Sequence, residues 1–272
     1  MKDRHAEDVD SSDVWVEHPL GKIFARIWTP AMKVDRSQAR APIVLFHDSL
    51  GCVDLWRDFP SKLSGFLGRE VIAYDRLGFG RSDPRADMPP VDFVAEESRS
   101  YFPAIVKRFM LQRFVAFGHS VGGGMAVNCA ADYPGACEAL ITESAQVFAE
   151  DRTLTSIAQA KEQFKDDRQL ERLRKYHGEK AEWVLRAWTD SWLDPQFASW
   201  TLAAVLPRVT CPVLAIHGEH DEYGSAVHPE MITQLCSGPS KMEMMNDTYH
   251  VPHRERDADV LALVSRFLKS AH

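Results

Sequence analysis

Several short stretches of the chain are apolar at almost every position, the pattern of strands buried on both faces. They are Pro42-Ile43-Val44-Leu45-Phe46, Glu70 to Asp75 around Val71-Ile72-Ala73-Tyr74, Phe114-Val115-Ala116-Phe117, Ala139-Leu140-Ile141-Thr142, and Cys211 to Gly218. Between the first two, Leu55 to Leu67 carries helical spacing with a proline inside, and strand, helix, strand predicts a parallel crossover. Upstream, Val14-Trp15-Val16 and Ile23 to Trp28 read as paired strands joined through His18-Pro19-Leu20-Gly21, an antiparallel entry to the sheet. Met32 to Arg40 reads as polar linker, and the polar start before Val14 as frayed. Phe93 to Leu111 predicts a helix bent near Pro103, which cannot donate to the helical ladder. Lys241 to Met245 is the last expected strand. Asp257 to Leu268 places Val260, Leu261, Leu263, Val264, Phe267 and Leu268 on one stripe, an amphipathic closing helix.

Between Ala145 and Pro207 the pattern changes. Lys161 to Lys180 is dense in alternating charges, and Trp183, Trp188, Trp192 and Trp200 then appear beside Leu193 and Phe197. This predicts a helical insertion whose charges form a solvated face and whose tryptophans cover apolar surface. Most of the tryptophans are expected to hold the insertion together, and one or two to line a pocket.

The composition narrows the partners. With 272 residues, 45% hydrophobic and 26% charged, the chain is long enough for a full core and ordinary for a soluble globular protein. A net charge of -7 without a basic stripe argues against nucleic acid. Cys52, Cys129, Cys137, Cys211 and Cys236 are odd in number and widely spaced, which suits reduced core thiols better than a disulfide framework. The N-terminus lacks the apolar stretch of a signal peptide and no run is long enough to cross a membrane, so a cytoplasmic location is the default expectation. Monomer and homodimer both remain open.

The candidate chemistry begins at Gly118-His119-Ser120-Val121-Gly122-Gly123. An apolar strand stops at Gly118 and a small-residue helix starts after Ser120, so the serine occupies a strand-to-helix corner flanked by glycines that let two backbones crowd. Such a corner aims the hydroxyl out of the fold, while the next amide, on Val121 at a helix start, faces developing negative charge.

This stretch resembles the nucleophile motif of the α/β-hydrolase superfamily, and the likeness extends over most of the chain outside the insertion. The resemblance implies an α/β fold with a mostly parallel sheet flanked by helices, residues 1–145 and 208–272 as its core domain, and 146–207 as a helical cap. Asp75 to Asp83 resembles the superfamily's Asp-x-x-Gly-x-Gly-x-Ser loop, read as structural. A serine needs an imidazole to take its proton and a carboxylate to orient the ring. The superfamily places these after the serine, acid then histidine, each following a core strand. His217-Gly218-Glu219-His220-Asp221 matches the acid segment, making Asp221 the candidate, with Glu219, Glu222 and Glu143 as rivals. Met245 to Glu255 resembles the terminal histidine segment, with His250 in the catalytic place, Tyr249 where glycine is usual, and His253 and Glu255 anchoring the loop.

By the same resemblance the second oxyanion donor is the amide of Ser49, partnering that of Val121. The usual His-Gly pair appears as His47-Asp48, and a carboxylate aimed at an oxyanion would oppose it. The Asp48 side chain is therefore expected to turn away and accept backbone N–H groups. His-x-x-His at His250 and His253 lacks the carboxylate and spacing of a zinc helix, so no metal and no cofactor are expected. The expected function is a serine hydrolase acting on a small, fairly apolar ester, thioester or lactone. Two alternatives stand beside it: a carbon–carbon hydrolase of the meta-cleavage product type, and a ligand-binding protein with a vestigial triad.

Overall fold

A computed structural model of the chain describes residues 9–31 and 40–270. Residues 1–8 of the polar start and nearly all of the linker expected from Met32 lie outside the described residues, but Val9 to Asp13, expected to be frayed, are paired strand opposite Arg26 to Pro30, because the hairpin partner extends that far. Strands β1 (Val9–His18) and β2 (Gly21–Pro30) form an antiparallel hairpin, with Val16 opposite Ile23 and His18 opposite Gly21. The sheet continues with β3 (Ile43–Phe46), β4 (Val71–Tyr74), β5 (Phe114–His119), β6 (Cys137–Glu143), β7 (Val213–Gly218) and β8 (Ser240–Met245). The spatial order is β1-β2-β4-β3-β5-β6-β7-β8, antiparallel through β2 and β4 and parallel from β4 onward.

The continuous apolar runs are explained by two cores. Successive strand residues face opposite sides. Val44 and Phe46 of β3 and Phe114 and Ala116 of β5 join one cluster, and Ile43, Leu45, Val115 and Phe117 join the other. Helices α1 (Phe59–Leu67) and α10 (Asp257–Ser270) cover the second face. The first is covered by α2 (Phe93–Glu96), α3 (Phe102–Phe109), α4 (Val121–Asp132) and α8 (Val227–Leu235). A parallel sheet with helices on both faces is the expected α/β arrangement.

Two expected helices are interrupted. Before α1 the chain makes a separate 3₁₀ turn at Val53–Trp56, and α1 opens with Pro60 in its first turn, where the missing N–H has no intrahelical partner to lose. Within 93–111 the irregularity is a π turn at Glu97–Tyr101 just before Pro103, which relieves the clash of the ring with the preceding turn. Helix α8 was not among the expected elements.

Between β6 and β7 the chain forms α5 (Asp151–Gln163), α6 (Asp167–His177) and α7 (Ala181–Trp192). Their charges pair in solvent, as in Lys161–Asp190 at 2.7 Å and Arg174–Glu182 at 2.7 Å. Their apolar side packs Leu173, Ala181, Val184 and Ala187 against Phe79 of the core. The described cysteines are free, with the Cys137 and Cys211 sulfurs 3.9 Å apart.

Candidate active site

Ser120 stands between β5 and α4 with φ 57° and ψ -128°, a conformation that costs a non-glycine residue about 1–3 kcal/mol. The fold holds it there. Ser120 N–H donates to the Glu143 carbonyl at 2.9 Å, and Gly123 N–H donates to the Ser120 carbonyl at 2.8 Å. The flanking glycines are required sterically: a Cβ on Gly118 would lie 2.1 Å from the Gly122 carbonyl oxygen, and one on Gly122 would lie 2.2 Å from that of Phe46.

The parallel strands deliver the other candidates to the same end of the sheet. His250, on the loop after β8, has Nε2 3.0 Å from Ser120 Oγ and Nδ1 2.8 and 2.9 Å from the Asp221 carboxylate oxygens. Asp221, on the loop after β7, also accepts N–H bonds from Tyr223 at 2.8 Å and Gly224 at 3.1 Å. Burial works to raise its pKa, but the His250 charge and these hydrogen bonds outweigh it and hold the carboxyl at about 2. The rival acids do other things. Glu219 and Glu222 are exposed, and Glu143 is buried against His253.

Ser120 opens into a cavity of about 160 Å³, walled by Leu50, Ile157, Trp188, Trp192, Tyr223 and Val251, with Asp48, Ser49, Gln146 and Thr153 supplying polar atoms. Trp188 and Trp192 are thus the two tryptophans that reach it. Trp183 packs on Phe79, with ring centroids 5.6 Å apart, and Trp200 stacks on Phe197 at 5.0 Å. Ser49 lines the cavity, and Val121 is the first residue of α4, where backbone amides lack intrahelical partners. Asp48 Oδ1 accepts the Leu50 N–H at 2.8 Å, as expected, but its other oxygen faces His119 Nδ1 at 3.4 Å. Tyr249 does not narrow the approach to the imidazole. It is exposed and packs toward His220, whereas Tyr223 stands 4.8 Å from the His250 ring.

Two contributors escaped the sequence reading. Gln146 Oε1 lies 3.3 Å from Ser120 Oγ, so it competes with His250 for the single hydroxyl proton. His177 at the end of α6 accepts the Gly80 N–H at Nδ1 (2.9 Å) and donates from Nε2 to the Leu50 carbonyl (2.9 Å), tying the insertion to two core loops. Nothing local in the sequence marks either residue, because both depend on how the insertion folds back.

Residues 41–257 match the sequence model of the alpha/beta hydrolase fold. This chain belongs to that family. A stretch of 120 residues is 33% identical to the mouse 1-acylglycerol-3-phosphate O-acyltransferase ABHD5, covering 43% of this chain and 32% of that protein. The chain thus spans only about a third of that relative's length. The human serine hydrolase BPHL is 25% identical over 206 residues, 73% of this chain and 69% of that one. Among solved structures, the 2-hydroxy-6-oxo-6-phenylhexa-2,4-dienoate hydrolase of Rhodococcus sp. strain RHA1 superposes with a TM-score of 0.75 at 14% identity, covering 96% of this chain and 99% of that one. At that identity the likeness is one of fold.

Around the site of this α/β hydrolase lies a ring of buried histidines. His119 Nε2 contacts the His250 carbonyl at 2.8 Å, and His253 Nδ1 donates to Glu143. Glu255 accepts the Tyr249 N–H at 2.7 Å and the Val251 N–H at 3.0 Å, bracing the loop that carries His250. His217 Nε2 donates to the Gly224 carbonyl at 3.1 Å beside Asp221. Donor atoms of His119, Glu143 and His253 fall within 4.8 Å of one another, with His253 Nδ1 bonded to Glu143 Oε2 and Glu143 Oε1 left without a hydrogen-bond partner. Among the described residues no helix is long and apolar enough to cross a membrane.

Proposed function

We propose that this chain is a cofactor-independent serine hydrolase that cleaves a small, fairly apolar carboxylic ester, thioester or lactone through an acyl-enzyme. The observation that carries the reading is the line from Asp221 through His250 to Ser120, opening into an apolar cavity. Ser120 Oγ attacks the acyl carbon while His250 Nε2 takes the hydroxyl proton, and the same proton passes to the departing alkoxide or thiolate. Water then attacks the acyl carbon as its proton goes to His250, and that proton returns to Ser120 Oγ as the acyl–oxygen bond breaks and the acid leaves. Asp221 stays ionised throughout and holds Nδ1–H toward itself. The amides of Val121 and Ser49 serve as the oxyanion donors, and residues 146–207 as a cap over the acyl group.

Two features favour a small neutral acyl group. Ligand pockets for drug-sized molecules run to about 300–1,000 Å³, and this cavity is about 160 Å³. The lining offers no lysine or arginine to pair with a carboxylate, which disfavours an anionic substrate such as the dienoate named for the Rhodococcus relative. The carbon–carbon hydrolase reading is therefore second. A cytoplasmic, soluble enzyme acting on a small molecule is the setting that fits.

The test is a fluorophosphonate adduct mapped by mass, run beside Ser120→Ala, His250→Ala and Asp221→Asn, with p-nitrophenyl acetate and a dienoate as competing substrates. Labelling at Ser120 that depends on His250, together with acetate release, supports the reading. Absence of both would leave a binding protein, and preference for the dienoate would reverse the order of the two hydrolases.

A further inference from the structure

His119, the residue before the proposed nucleophile, is buried with acceptors at both ring nitrogens. Nε2 points to the His250 carbonyl at 2.8 Å, and Nδ1 lies 3.4 Å from Asp48 Oδ2, an ion-pair distance without the alignment of a hydrogen bond. Behind the ring lies Glu143, whose Oε1 is buried without a hydrogen-bond partner. A neutral imidazole has one donor and one acceptor nitrogen. With Nε2–H given to His250, a neutral ring would turn its Nδ1 lone pair toward the Asp48 carboxylate, with Glu143 nearby.

We infer that His119 is held as an imidazolium that cancels the Asp48 charge beside the oxyanion site and pins the backbone of His250, making it a positioning residue for the hydrolase chemistry proposed above. This inference rests on that reading for its consequence, though not for the charge of the ring itself. The charged or titratable neighbours are Asp48 from the loop after β3, Glu143 from β6, and His250 from the loop after β8 with its ring centroid 5.1 Å away, while the 3₁₀ turn contributes only the Trp56 ring at 6.3 Å. His253 belongs to α9 (Pro252–Glu255), 5.0 Å from His119 centroid to centroid, and Arg254 beside it adds a positive charge near Asp48. Burial alone would strip the proton from His119, but the Asp48 carboxylate and the Glu143 charge outweigh it and raise the pKa above the ordinary histidine value. Burial works against the Asp48 charge too, yet His119 holds that carboxyl well below the usual range. Burial lowers the His253 pKa, so that ring donates to Glu143 while neutral. The unusual acid in the oxyanion loop is thus compensated from the residue next to the serine. That explains how Asp48 can line the cavity without opposing negative charge on the substrate oxygen.

The decisive measurement is nitrogen NMR of the full chain labelled with ¹⁵N-histidine, the His119 signals being assigned by their loss in His119→Gln. Both nitrogens protonated at pH 7.5 is the expected result. A neutral-ring pattern overturns the proposal, whatever the enzyme does with acyl probes. The kinetic arm uses p-nitrophenyl acetate. Gln can still donate to the His250 carbonyl but carries no charge, so His119→Gln leaves Asp48 without its facing cation, with only the more distant Arg254 nearby. Its kcat should fall about ten- to a hundredfold, and the acid limb of kcat/KM should move up by about one pH unit. Asp48→Asn should move that limb down, and the double variant should return both limb and kcat toward the parent. A His119→Gln limb that stays where it was marks the ring as neutral packing. If the parent hydrolyses nothing and takes no fluorophosphonate, the hydrolase reading fails while the NMR result still decides the charge of His119.

Discussion

His250 holds its Nδ1 within 2.9 Å of both carboxylate oxygens of Asp221, leaving Nε2 as the only ring nitrogen facing Ser120. This contact sets the tautomer. Asp221→Asn would keep the shape but present an amide that can also donate, so the ring could turn its acceptor away from the serine. The expected loss in kcat is about four orders of magnitude with little change in folding. Stopped-flow hydrolysis of p-nitrophenyl acetate beside circular dichroism checks it, and a loss below tenfold would show that another acid serves.

The elbow predicts a stability effect unconnected with chemistry. Gly122→Ala places a methyl group 2.2 Å from the Phe46 carbonyl oxygen, and both atoms belong to central elements that cannot part without breaking the sheet. Destabilisation of about 3 kcal/mol or more is expected, read as a fall in the urea midpoint.

Cavity size should control acyl length. Trp192 is buried and walls the cavity from α7, so Trp192→Ala lengthens the space in front of Ser120. The ratio of kcat/KM for the hexanoate ester over the acetate should rise by at least about tenfold. An unchanged ratio would mean the acyl group lies along another wall.

Two buried histidines predict a loss of stability in mild acid. Burial pushes the pKa of His177 and of His228 down from 6.5 to about 4. The folded state therefore binds fewer protons than the unfolded chain in that window. Stability is intact above pH 6.5 and is lost as pH falls toward about 4, by about 3 kcal/mol for each ring. Urea unfolding at pH 7.5, 6 and 4.5 should trace the decline, and His177→Gln should flatten its own share. Asp221 contributes nothing to this window, since its carboxyl, held at about 2 and below the usual aspartate range, loses its contribution only at still lower pH.

The fold was legible because its signals are local. Strands such as Phe114–His119 read as continuous apolar runs since each successive side chain enters one of two cores. The Ser120 corner needs particular residue types within five positions, and the loops bearing Asp221 and His250 follow recognisable strands. What stayed hidden depends on distant folding. Gln146 and His177 meet the site only after the chain between β6 and β7 has packed back, and no spacing within that stretch reports where it will land. Asp48 was visible as an oddity. Its partner His119 was not legible, because charge compensation across two loops has no sequence signature.

The atoms proposed to react stand at the ends of sheet strands, while Thr153, Ile157, Trp188 and Trp192 all come from one uninterrupted stretch of chain. The proposed reacting residues and this share of the cavity wall are therefore written in separate passages of the gene. A lineage can drift through the second, resizing what reaches the serine, without a single change in the first.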